Sequence, residues 1–168
     1  YEAVIERVER DKIITRITAS RPNYTEPPVE ITLFQGLPKA DKMETVIQKC
    51  VEIGVKRIVP VITARTVVKL AGTKEIASKT ARWRRIALEA AKQCDRGIIP
   101  KVGEPVGFAA ALEMAGDCDL KIIPYEEDRE GSLKELLRQY GGRSEAGQRR
   151  IAILIGPEGG FEPSEVEE

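Results

Sequence analysis

The sequence predicts an α/β fold: a mostly parallel sheet with helices on both faces. Three observations carry this. Short apolar runs rich in β-branched residues alternate, along most of the chain, with segments whose apolar residues recur at helical spacing. The last run, Ile151–Ile155, is apolar throughout, as in a strand buried on both faces. It leads straight into the turn Gly156-Pro157-Glu158-Gly159-Gly160 and then a new helix start. Ligands in open α/β sheets sit beside such turns, outside the carboxyl ends of the strands.

Taken in order, residues 1 to about 20 hold two β-like runs, Val4-Ile5 with Val8 and Ile13–Thr18, around an Arg10-Asp11-Lys12 turn. Two strands alone are marginal, so this hairpin is expected to belong to a small β domain. The proline-rich segment Arg21–Pro28 reads as a linker and places a domain boundary after residue 28. Ile31–Phe34 is the first strand beyond it. Asp41 with Glu44 predicts a capping box, Met43, Val46, Ile47, Cys50 and Val51 an apolar stripe, and Gly54 a helix stop. Arg57–Ile62 is the next strand. Pro60 has no N–H to give a ladder, which places this part at a sheet edge or strand end.

Ser78 or Thr80 is expected to open a long helix that ends at Gly97, with Trp83, Ile86, Ala87, Ala90, Ala91 and Cys94 on its buried face. Ile98-Ile99 reads as a short extended piece, Phe108, Ala109 and Leu112 as a helix, and Leu120–Ile123 as a strand. Ser132 with Glu135 predicts the cap of a helix carrying Leu133, Leu136 and Leu137. A polar loop, residues 141–150, precedes the final strand, and Ser164 with Glu167 predicts the cap of the last helix.

Composition narrows the chemistry. The chain has 168 residues, begins without Met and stops inside an apparent helix, so both ends are expected to be cut. Lysine plus arginine and aspartate plus glutamate number 27 each, giving zero net charge. Dedicated nucleic-acid binders are usually basic overall, so a nucleic-acid contact must rest on a local patch. With no histidine, Ser-His-Asp and Cys-His chemistry are excluded within the chain, and no metal site is expected. Cys50, Cys94 and Cys118 are scattered, with no CxxC pair, which suggests a reducing, cytoplasmic setting. Cys50 and Cys94 read as buried structural thiols. No apolar run reaches the ~18 residues of a membrane span.

The glycine turn is neither a Walker A loop nor GxGxxG. By spacing alone it is a ligand loop or a tight structural turn. As a ligand loop, it would offer a flat ring or small cofactor the backbone at Leu154 and Ile155. Glu158 is its one ionisable group and equally suits a carboxylate satisfying loop amides. Lys39 and Lys42 follow the first strand of the second unit, and Arg65 and Lys69 the next, on the same side of the sheet. They suit a phosphate-rich partner or plain solvation. Arg82, Arg84 and Arg85 flank Trp83, an arrangement that would suit RNA. Spacing favours a solvated face for Arg84 and a core position for Trp83. Arg96 stands at an element end and is a better RNA candidate.

Four stretches together resemble one family. They are Lys42–Val55, Arg65 through Val68-Lys69-Leu70, Trp83–Arg96 leading to Pro100, and Leu154-Ile155-Gly156-Pro157-Glu158-Gly159-Gly160-Phe161. They are similar to the bacterial 16S ribosomal RNA uridine-N3 methyltransferases (RsmE-type) of the SPOUT superfamily. The resemblance implies an α/β fold with a C-terminal trefoil knot, S-adenosylmethionine as methyl donor, 16S rRNA of the small subunit as substrate, and a homodimer. It also implies that residues 1–28 are the tail and linker of a PUA-like RNA-binding β-barrel and 29–168 the SPOUT domain. Leu154, Ile155, Gly156, Glu158, Gly159 and Gly160 would fall on the cofactor loop. Lys39, Lys42, Arg65, Lys69 and Arg96 are the expected RNA contacts.

The family continues to a further segment that closes the knot and completes the pocket, before which this chain stops. It usually has Gly where this chain has Asp95. Methyl transfer to uridine N3 requires loss of the N3 proton and in-line attack on the sulfonium methyl, so the protein's contribution is positioning and desolvation. No base is assigned; Glu158 is a candidate. Two other readings differ in class: a non-catalytic RNA- or ribosome-binding module, and a binder of small phosphoryl ligands using the turn as an anion nest.

Overall fold

A computed structural model of the chain describes residues 1–22, 24–127, 131–141 and 149–167. Strands β1 (Glu2–Val8) and β2 (Ile13–Ala19) pair antiparallel as the expected hairpin. The elements that follow are β3 (Val29–Gly36), α1 (Lys42–Glu52), β4 (Arg57–Ile62), α2 (Thr73–Gln93), β5 (Lys101–Val102) and β6 (Val106–Gly107). Then come α3 (Phe108–Ala115), β7 (Leu120–Ile122), α4 (Leu133–Gly141), β8 (Arg149–Ile155) and α5 (Pro163–Glu167). The expected α/β architecture is present. One sheet runs β5-β4-β3-β8-β7, with β6 also beside β4, and every pairing in it is parallel. No helix among the described residues is long and apolar enough to cross a membrane.

Side-chain alternation divides the core between the two faces of this sheet. Leu33, Ile58 and Val102 pack with Met43, Ile47 and Val51 of α1 and Trp83, Ala87 and Ala91 of α2. Phe34, Val59, Val61, Ala152 and Leu154 pack with Phe108, Ala111 and Ala115 of α3 and with Phe161. Fully burying one such large side chain stabilises the fold by about 1.5–3 kcal/mol.

The local devices are partly those expected. Gly54 ends α1 at φ 98°, with Val55 N–H donating to the Cys50 carbonyl at 2.9 Å and Gly54 N–H to Val51 at 3.1 Å. This is a Schellman closure. Ser132 Oγ accepts the Glu135 N–H at 3.4 Å, as a cap should. Asp41, however, makes no side-chain cap bond. The Glu44 carboxylate is turned instead to Arg82, with contacts of 2.7 and 2.9 Å that join α1 to α2. Helix α2 starts at Thr73, not at Ser78 or Thr80, and Thr80 is buried in its interior. It ends at Gln93, ahead of Gly97. No strand forms at Ile98-Ile99; the pairing begins at Lys101.

Pro60 is a correction with a clear cause. It lies within β4, paired with Gln35 of β3, inside the sheet rather than at its edge or a strand end. On the other side of β4, β5 pairs only Arg57 and Ile58, and β6 only Val61 and Ile62. The Ile58 carbonyl points outward to Gly103 N–H, and the Val61 carbonyl inward to Leu37 N–H. Residues alternate along a parallel ladder, so Pro60 faces the break between β5 and β6, where no donor is needed.

Candidate active site

A parallel sheet brings all its strand ends of one kind to one edge. Here the loops after β3, β4, β7 and β8 meet at the carboxyl edge, with the glycine turn in their midst. The turn closes with Gly160 N–H donating to the Pro157 carbonyl at 2.9 Å, and Gly160 has φ +70°. Gly36 ends β3 directly against it: a Cβ there would lie 2.6 Å from both N and Cδ of Pro157. Beside it, buried Gln35 donates from Nε2 to the Gly36 carbonyl at 3.0 Å and the Gly156 carbonyl at 3.3 Å. Phe161 anchors the far end of the turn against Phe108, with ring centroids 5.7 Å apart.

Glu158 projects from the turn into the loop before α1. Its carboxylate accepts Lys39 N–H at 3.1 and 3.2 Å and the Lys42 ammonium at 2.7 Å. The Lys42 hydrogen bond above all, with its own backbone amide and that of Lys39, pulls the carboxyl down to about 2. The group is therefore ionised throughout the physiological range.

Arg65 holds the other side. Its Nε donates to Glu162 at 2.9 Å and an Nη to the Gly159 carbonyl at 2.7 Å. The pair shifts each partner toward its charged form: Arg65 is raised and Glu162 lowered by their mutual hydrogen bond. Glu165 accepts the Ala64 N–H at 2.8 Å and the Glu162 N–H at 3.0 Å. So Glu162 and Glu165 begin the last helix, where Ser164 and Glu167 were expected to. Glu126, after β7, reaches the turn as well: a Cβ on Gly160 would lie 3.0 Å from its Oε1.

The structure thus brings Lys39, Lys42 and Arg65 onto the segment Leu154–Gly160. Leu154 is buried, Ile155 and Gly156 are half-buried, and Glu158 and Gly159 are exposed. Lys69 stands exposed further along the loop after β4, next to Leu70, which packs on the α1–α2 core. Arg96 is elsewhere. Its side chain is 4% exposed and pairs with Glu26 at 2.5 Å. It also donates to the carbonyls of Val51 at 3.2 Å and Val55 at 2.6 Å. These bonds make it a buried clamp on the segment before β3, not a surface cation for a phosphate. Its position at an element end reflects this structural use.

Gln35, Glu126, Glu162 and Glu165 escaped the sequence reading. A polar residue closing an apolar strand just before glycine was the available signal for Gln35. For Glu126 it was the position just after β7.

The model of the RNA methyltransferase domain family matches residues 25–168 of this chain. The chain belongs to that family. This RNA methyltransferase domain is 33% identical over 164 residues, 97% of its length, to a Bacillus subtilis protein named ribosomal RNA small subunit methyltransferase E. It is 32% identical over 144 residues, 85% of its length, to the protein of that name from Mesomycoplasma hyopneumoniae. The chain spans 63% and 58% of the lengths of these two relatives. Among solved structures, 98% of the chain superposes on 64% of the Neisseria gonorrhoeae methyltransferase E, described as bound to S-adenosyl methionine, with TM-score 0.74 and 28% identity.

Proposed function

We propose that this domain binds S-adenosylmethionine at the carboxyl edge and methylates N3 of a uridine in 16S rRNA of the small subunit. The observation that carries the reading is the convergence of Lys39, Lys42 and Arg65 on the glycine turn. It gives one edge a side-chain-poor backbone cradle and a rim that holds cations. The names of the relatives support the same reading.

The cradle suits the donor. Gly160 sits at φ +70°, where a side chain is strained, and Gly36 leaves no room for one beside Pro157, so the turn presents backbone at its centre. Residues Leu154–Gly160 would hold the donor, which supplies an already activated methyl group when bound. Glu158 is held as an anion by Lys42 and Lys39, so it is a poor proton acceptor and serves to fix the turn. Glu126, beside Gly160 and coupled electrostatically to Arg65, is the better-placed carboxylate for the N3 proton. Lys39, Lys42 and Arg65 at the rim, together with Lys69 further along the loop after β4, would position the RNA backbone.

On the same reading, residues 1–28 are the tail of a PUA-like RNA-binding domain and 29–168 a SPOUT domain with a C-terminal trefoil knot. The protein works as a cytoplasmic homodimer. The test is methyl transfer from labelled donor to small subunits lacking the modification, followed by nucleoside analysis. Failure to form N3-methyluridine overturns the reading. Calorimetry with S-adenosylmethionine separates it from a non-catalytic RNA-binding module, which need not bind the donor.

A further inference from the structure

Every feature of the proposed methyl transfer lies at the carboxyl edge. At the opposite edge lies a half-open cavity of about 950 Å³, lined by the starts of β3, β4, β5 and β8. Helix α3 does not reach this part of the sheet's face. Its Phe108, Ala111 and Ala115 cover Phe34, Val59, Val61, Ala152 and Leu154. Two residues earlier on these strands, on the same face, stand Thr32, Arg57 and Arg150. The register sets Arg57 between Thr32 and Lys101, and Arg150 beside Glu30. A parallel sheet normally presents apolar, covered faces. This half-face is charged.

The charge is one-sided. Among the described residues, Lys56, Arg57, Arg84, Lys101 and Arg150 line the cavity against Glu30 and Asp117, while Asp119, outside the lining, accepts the Arg150 backbone N–H at 2.7 Å. Lys56 pairs with Glu30, and Arg84 Nε donates to the Val102 carbonyl. Arg57, Lys101 and Arg150 are exposed, and their side chains have no hydrogen-bond or ion-pair partner among the described residues. A like-charged cluster in a chain of zero net charge is self-repelling until an anion neutralises it.

We propose that this cleft is a second RNA contact, which holds the sugar-phosphate backbone of the substrate away from the methylated base. The inference rests on the rRNA reading above. The three free cations span the strands from β5 to β8, so β4 and β8 alone set charges roughly 10 Å apart. That is a track for an extended polyanion rather than a point for one phosphate. No aromatic residue lines it among the described residues, so it positions backbone and does not stack bases.

The test compares the full-length protein with a triple variant, Arg57→Gln, Lys101→Gln and Arg150→Gln, binding a single-stranded 16S rRNA fragment across a salt series. The slope of log affinity against log salt is expected to flatten by about 2, since each phosphate lost contributes about 0.7. Arg57→Lys with Arg150→Lys keeps the charge and should keep the slope. Melting temperature and S-adenosylmethionine binding should be those of the parent in both variants. An unchanged slope in the triple variant overturns the proposal. So does polyglutamate binding that depends on the same residues, which would indicate an acidic protein partner. If the parent binds no donor and yet the slope flattens, the methyltransferase reading falls and the cleft stands.

Discussion

Lys42 and Glu158 meet at 2.7 Å across 116 positions of sequence, joining the first turn of α1 to the glycine turn after β8. The pair is partly exposed, so its value lies in fixing the loop more than in global stability. Its pH behaviour follows from Glu158, which is held at about 2 against an ordinary 4.5. The folded value lies below the unfolded one. The contribution of the clasp is therefore complete above about pH 4.5 and is lost as pH falls through about 2. Urea unfolding of the parent and Glu158→Gln should differ by a constant amount from pH 7 to 5, and the difference should vanish toward pH 2. A difference that grows on acidification contradicts the clasp. Donor affinity of the variant should fall at neutral pH.

Gly36→Ala should be severely destabilising. The added methyl would sit 2.6 Å from backbone and ring atoms of Pro157, and neither belongs to a flexible side chain. A loss of about 1–3 kcal/mol is expected from such overpacking, together with weaker donor binding, both measurable by urea unfolding and calorimetry. A neutral result would mean that the turn is not seated against β3.

Asp95→Gly should stabilise. Asp95 holds φ +54° at the end of α2, with Arg96 N–H donating to the Ala91 carbonyl at 2.9 Å. Glycine takes this left-handed position without Cβ strain, which outweighs its larger unfolded-state entropy. A gain of about 0.5–1 kcal/mol in unfolding free energy is expected.

Arg96→Gln should unfold the domain more easily without touching the salt dependence of RNA binding. It leaves Glu26, itself lowered chiefly by its hydrogen bond to Arg96, as a half-paired carboxylate beside Ile98 N–H. Removing one partner of a buried pair costs about 3–5 kcal/mol. Chemical denaturation tests the loss, and a salt titration of RNA binding tests the second half.

Arg65→Ala should act twice. It releases Gly159 and Glu162, so donor affinity should drop. It also removes a cation from the rim, so the salt slope of RNA binding should flatten by about 0.7. An effect on the donor alone would restrict Arg65 to holding the turn.

Much of the architecture was legible from short patterns. Ile151–Ile155 reads as a buried strand because every residue in it is apolar, and it pairs on both sides, with β3 and β7. Gly54 reads as a stop because only a residue free at positive φ closes that end so simply. Capping was less legible. The Asp41–Glu44 spacing is right for a box, yet Glu44 finds a guanidinium on α2, a stronger partner than a loop amide. Ser164–Glu167 has the same spacing, but Glu162 and Glu165 start the helix because Ala64 N–H and Arg65 reach them from another loop. Pro60 fits inside the sheet because proline lacks only a donor, and whether a neighbour needs that donor depends on where β5 stops and β6 starts.

The sequence by itself determined the alternation of strands and helices, the glycine turn and the strand ends at which cations stand. These depend on backbone freedom and on apolar periodicity, which are local. Only the tertiary structure decided which charge meets which. Lys42 and Arg65 look alike as loop cations, as Arg96 does at a helix end. Packing sets the first on Glu158, the second on Gly159 and Glu162, and buries the third on Glu26. Charge pairing acts at a few ångströms between residues far apart in the chain, so its partners follow from the fold and not from spacing along the sequence.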